Sequence, residues 1–253
     1  MFAVSLIRPT PAAPASDAAI LIPSALTDSG QRALYSYLCA AAAGSRESQL
    51  LAESPPRQRP WPLAVWRHPF TEETNARLDP GKLFSWAQGL SQRAAAHLSS
   101  LGDCDNDDGL RLLCDELGDL TTRRPYDSMV SLLYDQDACL PSHKDDGLPG
   151  IGLSISLGAA ATFAYGDETI CLRSGDALFG RFGHVTHQVS AIHGAETAPP
   201  WWQSLSMAQS ESEHLSSWGR VRCNVQLRHG RDAEARRQRR ALAAERTSDH
   251  NVL

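Results

Sequence analysis

Two textures divide the chain. Up to about residue 125 the apolar residues recur at helical spacing; from residue 126 onward they come in short runs cut by Gly, Asp and Pro. "DAAILIPSALTDSGQRALYSYLCAAA" opens with a brief strand-like apolar run. A helix follows from near Thr27–Ser29, with Leu34, Tyr37 and Leu38 on one face. "GKLFSWAQGLSQRAAAHLSSLG" predicts a second helix and "DGLRLLCDELGDL" a third. Between the first two, residues 53–63 ("ESPPRQRPWPL") are Pro-rich and predict loop.

Past residue 126 the runs "DSMVSLLY", "IGLSISLG", "ATFAYG", "TICLR", "DALFG", "HQVSAI" and "VRCNVQLR" are strand-length and β-rich. Short strands at this spacing predict a sandwich or barrel. The expected class is therefore α+β, mainly β, with helices packed outside a β core. Residues 1–16 predict a flexible Pro/Ala tail, a segment whose composition also suits an organelle presequence. Residues 17–125 form a helical extension, 126–230 the core, and 231–253 a basic, solvated helix running into a loose tail.

Composition narrows the function classes only slightly. The apolar fraction of 42% and charged fraction of 21% are those of an ordinary globular protein. A net charge of −5 removes any global attraction for nucleic acid, so such binding needs a local patch. Six cysteines without a CxxC pair argue against a zinc ribbon or a disulfide framework and favour a reducing interior. No apolar run approaches a membrane span.

The chemistry starts at "LPSHKDDG". Pro141 excludes a helix interior, and in extended chain His143 and Asp145 project to the same side with Lys144 opposite. One imidazole and one carboxylate can hold a divalent metal, although the pair alone is a weak signal. Downstream, "GDALFGRFGHVTHQVSAIHG" offers His184, His187 and His193 as third ligand. Two His and one carboxylate occupy one face of a metal and leave the rest open, the arrangement of non-haem Fe(II) oxygenases. "RVRCNVQLR", read as a strand, puts Arg222, Asn224, Gln226 and Arg228 on one face. That face is either the wet side of an edge strand or a polar lining turned into a barrel mouth. In the second case two arginines can grip carboxylates, as 2-oxoglutarate would require. "DCDNDDG" lacks the Gly and Glu of a calcium loop, since Asp108 and Cys114 stand at those positions. It reads instead as an acidic cap for the helix that follows.

Together these residues resemble the AlkB-like Fe(II)/2-oxoglutarate dioxygenases over roughly 126–230, and more faintly over 17–45. The marks are His143-Lys144-Asp145, His187 in "VTHQV", Arg222-Cys223-Asn224-Val225-Gln226-Leu227-Arg228, and Tyr134 nine residues before the first ligand. The resemblance implies a double-stranded β-helix (jelly roll) core. It implies Fe(II) on His143, Asp145 and His187, with His184 as fallback. 2-Oxoglutarate would lie with its distal carboxylate on Arg222, helped by Tyr134, and its metal end steadied by Asn224 and Arg228. It further implies a nucleotide-recognition lid within 17–125, where Trp61, Trp66 and His68 could stack on a flipped-out base, and a base contact from Asp146. The implied reaction uses O2 to hydroxylate an N-methyl group of methylated DNA or RNA, releasing formaldehyde and succinate. The implied protein is an intracellular monomer, cytoplasmic or nuclear, with no membrane contact. An oxygenase of the same fold acting on protein or a small molecule is the alternative. The chain departs from the family at Leu132, where bacterial members often carry Asn; at Gln226, which replaces a small hydroxyl residue; and in a long insert containing "PPWW" between His187 and Arg222.

Overall fold

The computed structural model describes residues 3–42, 58–67, 80–101, 107–120, 126–145, 150–207 and 220–228. His68, Asp146 and the basic segment 231–253 lie outside them. In chain order the regular elements are β1 (Ser5–Ile7), β2 (Ala19–Ile22), α1 (Asp28–Ala42), β3 (Trp61–Arg67), α2 (Gly81–Ser100), α3 (Asp108–Asp119), β4 (Ser128–Tyr134), β5 (Leu140–His143), β6 (Gly152–Gly158), β7 (Ala161–Tyr165), β8 (Glu168–Leu172), β9 (Ala177–Gly180), β10 (His187–Ile192), α4 (Pro200–Met207) and β11 (Arg222–Arg228).

Two antiparallel sheets result. The larger runs β1-β2-β9-β6-β11-β4-β3 and the smaller β5-β10-β7-β8. The eight strands from β4 to β11 divide four and four between them, in the orders β9-β6-β11-β4 and β5-β10-β7-β8. Interleaving of this kind is the double-stranded β-helix, or jelly roll, the expected core. β1 and β2 lengthen the larger sheet beyond β9, and β3 lengthens it beyond β4.

β11 is central rather than at an edge. It pairs with β4 (Arg222 opposite Tyr134, Asn224 opposite Leu132) and with β6 (Asn224 opposite Ser156, Gln226 opposite Ser154). Residues directly opposite in an antiparallel pair share a face. Cys223, Val225 and Leu227 therefore lie with Leu157, Ile155 and Leu153, all six wholly buried. Arg222, Asn224, Gln226 and Arg228 form the other row, and it faces the second sheet, where Arg228 meets Asp145. The wet-edge reading of this strand is thus excluded.

The helices form where the apolar pattern required them. Thr27 Oγ1 accepts from the Gly30 amide at 3.2 Å and caps α1. Leu34 and Leu38 are buried, each contributing about 1.5–3 kcal/mol of transfer free energy. Asp107 caps α3, its Oδ1 accepting from the amides of Gly109 and Leu110 at 2.9 and 3.1 Å, the role expected of the acidic loop.

Two stretches differ from expectation, and a third, for which none was made, is helical. The first is the supposed flexible tail, 1–16: Leu6 and Ile7 pair with Ile20 and Ala19 of β2, and the Pro9 carbonyl accepts from the Asp167 amide at 2.7 Å in the β7–β8 turn. Gly166 opens that turn at φ 60°, and any Cβ there would stand 2.4 Å from the Pro9 oxygen, so the glycine lets the tail dock. The second is the Pro-rich loop 53–63, whose last residues begin β3: a proline is tolerated on an edge strand, and Pro62 sits beside a register shift. The third is the "PPWW" insert, which forms α4. Trp201 and Trp202 are buried, and the Trp202 ring lies 4.4 Å from Tyr35 of α1.

Candidate metal centre and anion-binding row

β5 and β10 are neighbours in the smaller sheet, and their register sets His143 directly opposite His187. The two rings lie 4.3 Å apart. Asp145 follows β5 by two residues, and its amide donates to the Phe182 carbonyl at 2.8 Å, which turns the carboxylate back toward the histidines. One ligand atom from each of His143, Asp145 and His187 lies within 4.8 Å of the others, the only such His/Cys/Asp/Glu cluster among the described residues. Asp145 and His187 are buried and His143 is half-buried, so the cluster opens to solvent on one side. Of the other candidates, His184 is exposed and His193 bonds Thr162 Oγ1 at 2.8 Å; neither joins the cluster.

Hydrogen bonding prepares both imidazoles as ligands. His143 Nδ1 faces the Pro141 carbonyl at 2.7 Å, and His187 Nδ1 faces the Val185 carbonyl at 3.2 Å. Donation from Nδ1 leaves the Nε2 lone pair of each ring free, the outer-shell arrangement that orients metal-bound histidines. His187 Nε2 is buried without a hydrogen-bond partner. A buried nitrogen left bare in this way needs an explanation, and a cation provides it.

The electrostatics agree. Burial pushes the His187 imidazole down to about 4, keeping its lone pair available at neutral pH. Burial alone would raise the Asp145 carboxyl, but the His143 hydrogen bond and the Arg228 charge outweigh it and hold the group below its usual range. His143 is raised, chiefly by Asp145, whose Oδ1 lies 3.6 Å from Nε2. Phe182 and Phe163 wall the site, with ring centres 5.0 and 6.1 Å from that of His187. Two histidines and a carboxylate with the remaining positions open is the ligand set of non-haem Fe(II) oxygenases.

The inward row of β11 runs from this cluster along the barrel. At the near end Arg228 Nη2 lies 2.9 Å from Asp145 Oδ2 and 3.0 Å from Oδ1. This arginine, expected to steady the metal end of the co-substrate, here contacts the Asp145 carboxylate. At the far end Arg222 is wholly buried, donating to the Ala159 carbonyl at 2.7 Å, the Leu172 carbonyl at 3.4 Å and Ser156 Oγ at 2.7 Å. No carboxylate pairs with Arg222 among the described residues, and its Nε has no partner. Tyr134 Oη, across the ladder, and Asn224 Oδ1, between the two arginines, are likewise buried and unpartnered. A buried guanidinium without an acid is costly unless an anion joins it. The row offers such an anion two unspent donors.

Some supporting residues escaped the sequence reading. Ser154 and Ser156 bond Asn224 and Arg222 at 2.7 Å. Their signal was present: hydroxyls alternating with Leu and Ile in a seven-residue strand that is buried throughout. Trp61 and Trp66 lie on β3, in register with Leu133 and Met129 of β4.

No protein-family model matches the chain. Over 211 residues it is 28% identical to a probable lanosterol 14-alpha demethylase of Acanthamoeba polyphaga mimivirus, covering 82% of this chain and 26% of that protein. The chain thus spans about a quarter of the length of that curated relative. Among solved structures it is similar to a 2OG-Fe(II) oxygenase family oxidoreductase from Burkholderia pseudomallei, with a TM-score of 0.40, 13% identity and 84% of each chain covered. A Pseudomonas putida prolyl-4-hydroxylase aligns with a TM-score of 0.39 and 15% identity over 84% of this chain and 92% of that one. NgTET1 in complex with 5mC DNA aligns with a TM-score of 0.39 and 11% identity, over 83% and 71%. Among the described residues no helix is long and apolar enough to cross a membrane.

Proposed function

We propose that the protein is an Fe(II)- and 2-oxoglutarate-dependent oxygenase that oxidatively demethylates N-methylated nucleobases. One observation carries the oxygenase reading: a His143–Asp145–His187 cluster and a buried arginine without an acid partner lie on facing layers of one jelly roll, joined through Arg228. Fe(II) bound there would supply activation of O2, coupling decarboxylation of 2-oxoglutarate to succinate with hydroxylation of a substrate C–H bond. The protein's share is orientation. His143 and His187 present Nε2 because their Nδ1 atoms face backbone carbonyls. Arg228 keeps Asp145 ionised. Arg222 and the Tyr134 hydroxyl receive the distal carboxylate, and Asn224 lies between them and the metal. The phenylalanines around His187 exclude water from the reacting centre.

The nucleobase part rests on the resemblance of the His143-Lys144-Asp145, His187 and Arg222–Arg228 marks to AlkB-like enzymes. A hydroxylated N-methyl group would leave as formaldehyde, restoring the base. The net charge of −5 favours the second reading, a substrate that is a protein or small molecule. The test is a screen of methylated DNA, methylated RNA, methylated nucleosides, peptides and small molecules, reading both succinate and formaldehyde. Formaldehyde release matched to succinate with a methylated nucleic acid supports the first reading. Stimulation of succinate formation by a peptide or small molecule alone supports the second.

A further inference from the structure

Gln226 lies between Asn224 and Arg228 on the inward row of β11 and belongs to neither the metal cluster nor the far anion end. Its Oε1 accepts a hydrogen bond from Arg228 Nη2. The same nitrogen stands 3.0 Å from Asp145 Oδ1 and 2.9 Å from Oδ2. A guanidinium NH2 group carries two hydrogens. With one aimed at Gln226, the other goes to Asp145 Oδ1, and Oδ2 is left in charge contact without a hydrogen bond of its own. One such hydrogen bond holds a carboxylate less firmly than the two-hydrogen grip a guanidinium can make. Asp145 is thereby oriented while Oδ2 keeps its lone pairs for a cation. Without an acceptor at position 226, a small turn of the guanidinium would bring the freed hydrogen onto Oδ2. Arg228 would then hold Asp145 with two hydrogens, and a cation would compete against that grip.

We propose that Gln226 is a positioning residue that limits the grip of Arg228 on Asp145 and so sets the affinity of the metal centre. This rests on the reading of His143, Asp145 and His187 as metal ligands. Position 226 is also where the chain departs from the family it resembles, carrying a long amide in place of a small hydroxyl residue. The amide spans the row to Nη2 of its neighbour two residues on.

The test is calorimetric titration of Mn(II) into the metal-free full chain without 2-oxoglutarate, with thermal melting alongside. Gln226→Met keeps the length and removes the acceptor, Gln226→Leu is a second non-acceptor should the first fold poorly, and Gln226→Glu keeps an acceptor. The wild type binds one Mn(II). The non-acceptor variants bind about tenfold or more weakly, the lower end of the usual cost of losing a group that orients a ligand. Gln226→Glu binds as tightly as the wild type or tighter. In an Arg228→Met background, Gln226→Met changes nothing further, because the route through Arg228 is gone. Unchanged affinity in folded Gln226→Met and Gln226→Leu overturns the proposal and leaves the metal reading intact. An equal loss in the Arg228→Met background overturns it as well, since Gln226 would then act by another route. A wild type that binds no Mn(II) removes the metal reading, and this proposal with it.

Discussion

Arg222→Met separates the binding role of the inward row from its structural one. Arg222 is fully buried and makes hydrogen bonds to Ala159, Leu172 and Ser156, with no acid beside it. Burial lowers its pKa, the mark of a charge held at a cost. Each hydrogen bond from a charged donor is worth about 1.5–3 kcal/mol, while the effective desolvation penalty of a buried ion is several kcal/mol. These nearly cancel, so exchange for the similarly long Met should shift the stability of the ligand-free fold by no more than about 2 kcal/mol in either direction. Binding has no such cancellation. A carboxylate that loses its buried cation forfeits about 3–5 kcal/mol, or a factor of roughly 10²–10⁴ in dissociation constant. The assay is calorimetric titration of 2-oxoglutarate into Mn(II)-loaded wild type and Arg222→Met, with melting curves of both. Unchanged affinity for 2-oxoglutarate would show that the bare donors at Arg222 and Tyr134 serve something other than this anion. A collapse of melting temperature with affinity retained would make Arg222 a purely structural residue.

Gly158 sits at φ 86°, and a Cβ there would stand 2.5 Å from the Val221 carbonyl and 2.9 Å from the Trp202 ring, so Gly158→Ala should cost more than about 1 kcal/mol in denaturant unfolding. An unshifted midpoint would mean the β6–β7 turn has another conformation. Burial pushes the Cys223 thiol up to about 12 and raises Cys39 as well, whereas Cys171 is exposed. At pH 8 a thiol reagent followed by peptide mass spectrometry should label Cys171 in the native state, and Cys39 and Cys223 only on unfolding. In the metal-free protein His187 titrates at about 4, against about 6.5 in the unfolded chain. The unfolded state therefore takes up protons first. The contribution of His187 is complete above pH ~6.5 and is lost as pH falls toward 4. Stability measured by denaturant at stepped pH should show that loss in the wild type and a flatter slope in His187→Gln; an identical slope would refute the assignment.

Much of the core was legible because strand chemistry is local. The alternation in "RVRCNVQLR" marked two faces, and the β11 register with β4 and β6 keeps them apart. The His143–Asp145 spacing held because an extended chain places i and i+2 together whatever the fold. What the spacing could not determine was which side faced inward: an edge strand and a central strand share the same alternation, and only the pairing of β11 on both sides decides between them. The N-terminal segment was misread for the opposite reason. Besides the pairing of β1 with β2, part of its order comes from more than a hundred residues away, where the Asp167 amide donates to the Pro9 carbonyl. Arg228, which the resemblance put at the metal end of the co-substrate, lies against Asp145, a contact that spacing along the strand could not name. α4 is only eight residues long, too short to show a helical repeat; its Trp202 packs on Tyr35 of α1 and donates to the Arg220 carbonyl.

An iron held by His143, Asp145 and His187 would turn over 2-oxoglutarate. The most direct test is succinate formation from 2-oxoglutarate in air, followed by NMR, with purified wild type and Asp145→Ala, each with and without added Fe(II). Fe(II)-dependent succinate is expected from the wild type and none above background from Asp145→Ala, with both proteins melting as folded domains. Succinate formed equally by Asp145→Ala, or none formed by folded wild type with Fe(II) present, would contradict that role for the three residues.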